Sequence, residues 1–273
     1  MGSVVTIIKI KTLKNYKPLF KTDHPTVAGK WLLISTLLKS WYDIEIPDKD
    51  HSAAFVALEQ SLNLKLPIAV KAYFLLSTQL AETPYTYPNG QKSNQFANIF
   101  RDGLYISQLK DHDAISLMIQ AEQDTIWAIK TEDLSKDDPA VYCYLLDYDD
   151  DTNQKFDFFG LAAASVSSFA LGHLLSYLTN CSSFAMPAED IAQLRTVLKS
   201  NLTNHHQLDD LEIFEDENII AFFSKNIFEE ENSHSLYFHL KENREIDSIP
   251  APLLDLLKQR GAGWTSGRFN DHR

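Results

Sequence analysis

The stretch Ala114–Tyr142, AISLMIQAEQDTIWAIKTEDLSKDDPAVY, decides how this chain is read. Ile115, Leu117 and Ile119 alternate along it, and so do Thr125, Trp127 and Ile129. Period-two spacing turns each set to one face of a strand. The Glu122-Gln123-Asp124 corner between them predicts an antiparallel hairpin. Glu132-Asp133-Leu134 is an acidic step, Asp138-Pro139 shapes a turn, and Val141, Cys143 and Leu145 continue the sheet. The stretch contains no nucleophile motif, metal cluster or phosphate loop, which points toward binding rather than catalysis.

Upstream, Val4–Ile10 reads as a short β-branched strand, and Val27–Tyr42 as a helix with Trp31, Leu32, Ile34, Leu37, Leu38 and Trp41 at helical spacing. Ser52 caps a second helix carrying Phe55, Leu58 and Leu62, which Asn63 closes in a left-handed conformation. Pro67 sits in the first turn of a third helix reaching Leu80, whose Val70, Tyr73, Phe74 and Leu76 predict burial. The segment Glu82–Asn98 is polar and rich in turn residues, a long loop of the kind that carries interactions. Leu104–Ile106 reads as a short strand after the Asp102-Gly103 turn.

Downstream, Phe156–Phe159 reads as a strand, and Ser165 caps a helix bearing Val166, Phe169, Ala170, Leu174, Tyr177 and Leu178. Pro187–Leu198 reads as a further helix. Leu208–Phe214, Ile219–Phe223 and Leu236–Leu240 read as three strands, and Leu253, Leu254 and Leu257 mark a last helix stopped by Gly261. Helices, then adjacent strands, then helices argue for an α+β fold with a mostly antiparallel sheet packed against N-terminal and C-terminal helices.

The chain has 273 residues and a net charge of −12. This length suits one large domain with an annex. The acidic balance opposes non-specific nucleic-acid binding, which needs cations to displace counterions, and instead steers a basic partner. The six lysines of residues 1–30, set against Asp23 alone, leave the rest of the chain still more acidic. Cys143 and Cys181 form no disulfide framework or metal signature and fit a reducing, cytoplasmic compartment. No apolar run approaches transmembrane length.

The candidate chemistry is sparse. Asp147, Asp149, Asp151 and Asn153 alternate like calcium ligands, but Thr152 replaces the turn glycine and Phe158 the bidentate glutamate, so a solvated turn is the better reading. His205 and His206 are adjacent, so in a regular element they point to different sides and do not readily chelate one ion. There is no HExxH, no GxSxG and no clustered Cys/His spacing, so no catalytic residue, cofactor or metal ligand is assigned. The acidic blocks Asp147–Asp151, Asp209–Glu217 and Glu229–Glu231 read as surface. Within them Asp147, Asp149, Asp150, Asp151, Asp209, Asp210, Glu212 and Glu215 are the candidate contacts for a basic partner.

Three blocks in order resemble the SUKH superfamily of SMI/Knr-type cell-wall regulators and bacterial immunity proteins. The first is Glu59-Gln60-Ser61-Leu62-Asn63-Leu64-Lys65-Leu66-Pro67 followed by Tyr73-Phe74, with Ser40-Trp41-Tyr42 upstream and Asn63 where the family usually has glycine. The second is Ala121-Glu122-Gln123-Asp124, Trp127-Ala128-Ile129, Glu132-Asp133-Leu134 and Asp138-Pro139-Ala140-Val141-Tyr142, with Ala128 and Ala140 replacing a glycine and a proline. The third is Ser165-Val166-Ser167-Ser168-Phe169 with Leu174-Leu175. The resemblance spans Trp31 to Leu178 and implies a SUKH-like domain over residues 1–180; it does not extend past that core, and the residues themselves read as a C-terminal helix, short strands and helix over 181–260, a small α/β extension, and as a flexible tail over 261–273. The resemblance also implies no catalytic residue, no cofactor and a function in binding another protein. Glu59, Leu66, Pro67, Trp127, Asp138 and Pro139 carry the motif and have structural roles of their own. The expectation is a non-enzymatic cytoplasmic immunity factor that neutralises a cognate nuclease toxin. A regulatory scaffold of the SMI/Knr type is the alternative.

Overall fold

The structure, a computed structural model, describes residues 26–42, 52–82, 85–86, 92–93, 108–109, 112–119, 125–148, 154–182, 184–187, 191–225, 234–240, 249–259 and 263–264. The expected strands Val4–Ile10 and Leu104–Ile106, the Glu122–Asp124 corner and most of the Glu82–Asn98 loop lie outside these residues.

Three helices come first: α1 (Val27–Tyr42), α2 (Ser52–Leu62) and α3 (Ile68–Glu82). The short strands β1 (Tyr85–Thr86) and β2 (Lys92–Ser93) pair with each other. Then follow β3 (Gln108–Leu109), β4 (Ala114–Ile119), β5 (Thr125–Lys130), a 3-10 turn (Thr131–Ser135), β6 (Val141–Tyr148) and β7 (Gln154–Ala163). Next come α4 (Val166–Ser182), β8 (Phe184–Pro187), α5 (Ile191–Asn201), β9 (Asn204–Leu208), β10 (Leu211–Glu215), β11 (Ile219–Lys225), β12 (His234–Leu240), α6 (Ala251–Gln259) and β13 (Gly263–Trp264).

The fold is α+β, with two antiparallel sheets each built around four longer strands. The first runs β3-β4-β5-β6-β7 and the second β13-β8-β12-β11-β10-β9. The Ala114–Tyr142 stretch forms the centre of the first sheet: Ile115 stands opposite Ile129, and Trp127 opposite Cys143. Its inner face, with Ile115, Leu117, Trp127, Ile129 and Val141, packs on α1, α3 and α4. Phe169 of α4 stands 6.1 Å from Trp127 and 6.2 Å from Tyr73 of α3, both by ring centroid, so the motif tryptophan fastens sheet to helices.

The second sheet is buried on both sides. Leu211, Ile213, Ile220 and Phe222 join the same core as α1, α3 and α4. Phe214, Ile219, Ala221, Phe223, Leu236 and Phe238 pack with Leu194, Leu198, Leu253 and Leu257 of α5 and α6. This double burial explains the continuous apolar run Ile219–Phe223, since alternate residues serve different helical layers.

Several expectations change. The boundary drawn at 180–181 falls in the last turn of α4, and the C-terminal strands share a core with the N-terminal helices. They form a second major sheet rather than a small extension. Leu208–Phe214 is two strands, because Asp209 takes φ 52° and turns the chain at a two-residue hairpin loop. Pro187 ends β8 instead of opening a helix, and α5 begins at Ile191. Gly263 and Trp264, assigned to a free tail, pair with Ala185 and Phe184.

The helix ends follow local chemistry. Asn63 has φ 53°, Leu64 N–H bonds the Glu59 carbonyl at 3.1 Å and Asn63 N–H bonds the Gln60 carbonyl at 3.3 Å. This is the paired hydrogen-bond pattern of a Schellman stop, with asparagine serving in place of glycine. Ser165 Oγ accepts the Ser168 N–H at 3.0 Å, capping α4. Pro67 stands one residue before α3, and its carbonyl accepts the Lys71 N–H at 3.1 Å.

Candidate protein-binding surfaces

The acidic turn before β6 joins the starts of two helices. The Asp137 carbonyl accepts the Ala69 N–H at 3.0 Å, at the start of α3. The Pro139 carbonyl accepts the Val166 N–H at 2.8 Å, and Asp138 Oδ1 the Ser167 N–H at 3.0 Å, at the start of α4. One turn therefore satisfies donors of two helix N-termini, which are otherwise left without intrahelical partners. Asp138 Oδ2 also accepts from the Lys30 ammonium of α1 at 2.9 Å. Glu59 plays a parallel role at the other stop: Oε1 accepts the Leu66 N–H at 2.9 Å and lies 2.6 Å from Lys71 Nζ. The Lys71 bond, and then the Leu66 bond, hold the Glu59 carboxyl below its ordinary pKa.

The acids expected to face a partner divide into separate environments. Asp209 Oδ2 lies 2.6 Å from Lys30 Nζ and 2.6 Å from Ser165 Oγ. Burial alone would lower the Lys30 pKa, but its bonds to Asp209 and Asp138 outweigh that and raise it. Asp210 Oδ2 accepts the Ala164 N–H at 2.9 Å. Both aspartates thus tie the β9–β10 turn to the start of α4.

Glu212 and Glu215 are withdrawn from any docking face, because both are buried. Glu212 bonds Arg195 Nε of α5 and lies 2.8 Å from His205 Nε2, whose ring stacks on Phe214 at 4.7 Å. Glu215, on the opposite face of β10, lies 3.4 Å from His206 Nε2. Sequence spacing identified the opposed histidines but not their glutamate partners across the hairpin, which only the β9–β10 register reveals. Asp147 is the penultimate residue of β6, opposite Lys155, while Asp149, Asp150 and Asp151 lie outside the described residues.

A different surface emerges on β7. Phe158, Phe159 and Leu161 are 51%, 44% and 50% exposed, three large apolar side chains within four residues of one strand. Among the described residues β7 pairs only with β6, so it edges the first sheet. The Phe158 ring lies 6.0 Å from Tyr142 and 5.6 Å from Tyr144, by centroid. Lys130 Nζ sits 4.6 Å from the Tyr142 centroid and 5.2 Å from that of Phe158. Clustered, half-exposed aromatics mark binding surfaces more often than isolated ones do. The signal for this patch was in the sequence: FDFFGLAA, residues 156–163, has too few polar residues for an ordinary solvated edge strand.

Among the described residues no group of three or more His, Cys, Asp or Glu side chains is placed to hold a metal ion. Nor is any described helix long and apolar enough to cross a membrane. Among protein-family models, curated proteins and solved structures, none matches this chain.

Proposed function

We propose that this chain is a cytoplasmic protein-binding factor of the SUKH immunity type, which neutralises a cognate toxin by forming a complex rather than by catalysis. The observation that carries the proposal is the half-exposed cluster of Phe158, Phe159 and Leu161 on an edge strand, an arrangement suited to protein contact. The −12 charge supports a basic partner such as a nuclease domain. The motif residues Glu59, Pro67, Trp127, Asp138 and Pro139 are spent on helix ends and core contacts, which agrees with a scaffold whose specificity lies elsewhere.

Co-expression with a nuclease toxin encoded beside the gene tests the proposal. Cells carrying both should survive and yield a co-purifying complex. Death at the toxin-only rate, with no complex, would refute it for that toxin.

A further inference from the structure

The β6–β7 register singles out one short part of the edge. From Tyr148 opposite Gln154 to Tyr144 opposite Phe158 the two strands pair without a break, and then one extra β7 residue intrudes at Phe159 and another at Ala162. Such bulges interrupt the row of backbone donors and acceptors that a further strand needs. Gln154–Phe158 is therefore the longest regular ladder that β7 presents on its open side, where no strand pairs among the described residues. Phe156 and Phe158 share the outer face of the sheet with Tyr142 and Tyr144, and Asp157 between them is exposed.

This run is complementary to itself. A two-fold axis matches a strand with its own reverse, and the midpoint of Gln154–Phe158 is Phe156. Each copy then sets Phe156 opposite Phe156, Lys155 opposite Asp157 and Gln154 opposite Phe158 of the other. Lys155 and Asp157 are the only charged residues of β7, and this register sets them against each other twice. An axis on Asp157 would oppose two aspartates, and one on Phe158 would meet the Phe159 bulge. Opposite charges directly across antiparallel strands attract, like charges repel, and an aromatic ring reaches its diagonal neighbour, here Phe158 and the Phe156 of the copy. Each chain carries a net charge of −12, which opposes self-association in general. Beyond about 8 Å that repulsion is screened at physiological ionic strength, and within the run one lysine balances one aspartate.

We propose that the open edge of β7 over Gln154–Phe158 pairs antiparallel with the same run of a second copy, joining two first sheets into one across a two-fold axis. Phe159 and Leu161 lie outside the paired run and stay available to a toxin, so the pairing goes beyond the immunity reading and does not replace it.

Sedimentation velocity on the full chain over a range of concentrations tests the pairing. Wild type should dimerise. Lys155→Asp and Asp157→Lys each turn two attractive pairs into repulsive ones, so each should weaken the dimer roughly tenfold with an unchanged circular dichroism spectrum. Mixing the two variants should restore dimers, because one then supplies two aspartates and the other two lysines. A wild-type chain that stays monomeric overturns the assignment. So does a dimer that both variants keep, or a mixture that stays as dissociated as its components. If a charge variant fails to fold, cysteine crosslinking replaces it: in a C181S background F156C, on the axis, should form a disulfide dimer under mild oxidation, and L161C, far from its own copy, should not. Equal crosslinking of the two overturns the register. The two readings fail separately. A monomeric wild type that still neutralises a toxin removes only the pairing, and dimers restored by the mixture without any neutralised toxin remove only the immunity reading.

Discussion

Lys30 Nζ stands 2.6 Å from Asp209 Oδ2, across 179 residues of sequence. The same ammonium holds Asp138 at 2.9 Å, so one lysine of α1 joins the turn that caps α3 and α4 to the first hairpin of the second sheet. The Lys30 and Asp138 side chains are about nine-tenths buried, while Asp209 keeps 28% exposure. Removing the cation leaves two carboxylates without it. Lys30→Met should therefore lower stability by about 2–4 kcal/mol, at or below the range for a fully buried pair. D210N keeps an oxygen for the Ala164 N–H and should change stability by less than about 0.5 kcal/mol. Urea denaturation of the two variants checks both values. Equal effects would mean that Lys30 is not the tie between the sheets.

Glu59 predicts a local acid sensitivity. Its carboxyl is held below its ordinary pKa by Lys71 and the Leu66 N–H, so the unfolded chain takes up this proton first as pH falls. The stabilisation is present above the unfolded value of about 4.3 and disappears as pH drops through the lower folded value. E59Q keeps an acceptor for Leu66 but has no charge to lose. The gap between wild type and E59Q in urea midpoint should narrow between about pH 5 and pH 3. A constant gap would remove the charge from the account.

His239 predicts a second pH dependence, over a higher range. It is buried on β12, and burial pushes its pKa down to about 3. The folded chain therefore keeps the ring neutral while the unfolded chain protonates near pH 6.5, so the stability is complete above that value and falls below it. The slope approaches about 1.4 kcal/mol per pH unit at most. His239→Leu should flatten the stability profile between about pH 6.5 and pH 4. An unchanged slope would assign the dependence to other groups.

The parts of this fold legible in sequence were those decided within a few residues. The α1 and α2 boundaries, the left-handed Asn63, the Ser165 cap and the alternation of Thr125, Trp127 and Ile129 follow from local spacing and capping chemistry, whereas the expected alternation of Ile115, Leu117 and Ile119 is broken by a bulge that sets Ile119 opposite Ile126 on the other face. Within the acidic block Asp209–Glu217, the turn residues Asp209 and Asp210 are exposed as expected, but Glu212 and Glu215 are buried because alternate residues of β10 serve opposite sides of a sheet covered on both faces. Glu212 is reached by Arg195 from α5, and Glu215 faces His206 on the neighbouring strand. Composition could not show that covering, which comes from α5 and α6 on one side and α4 on the other. The exposed Phe158 patch was missed for the converse reason. The run FDFFGLAA resembles core until the register turns Phe158 and Leu161 to the outer face of an edge strand.

Cys143 gives a direct check on the first sheet. It is a free, buried thiol on β6, and burial raises its pKa to about 11. Both effects suppress the reactive thiolate. In a C181S background, Cys143 should resist a thiol reagent in buffer and react promptly in strong urea. Fast labelling of the folded chain would contradict its place between β5 and β7.

We propose that this chain acts by occupying a toxin rather than by transforming anything. The most direct measurement is a titration of a purified cognate nuclease toxin with the intact chain, following residual nuclease activity. The account predicts a linear fall that reaches zero at one equivalent, with the complex recovered intact. Complete loss of activity at a small fraction of an equivalent would reveal turnover and contradict it.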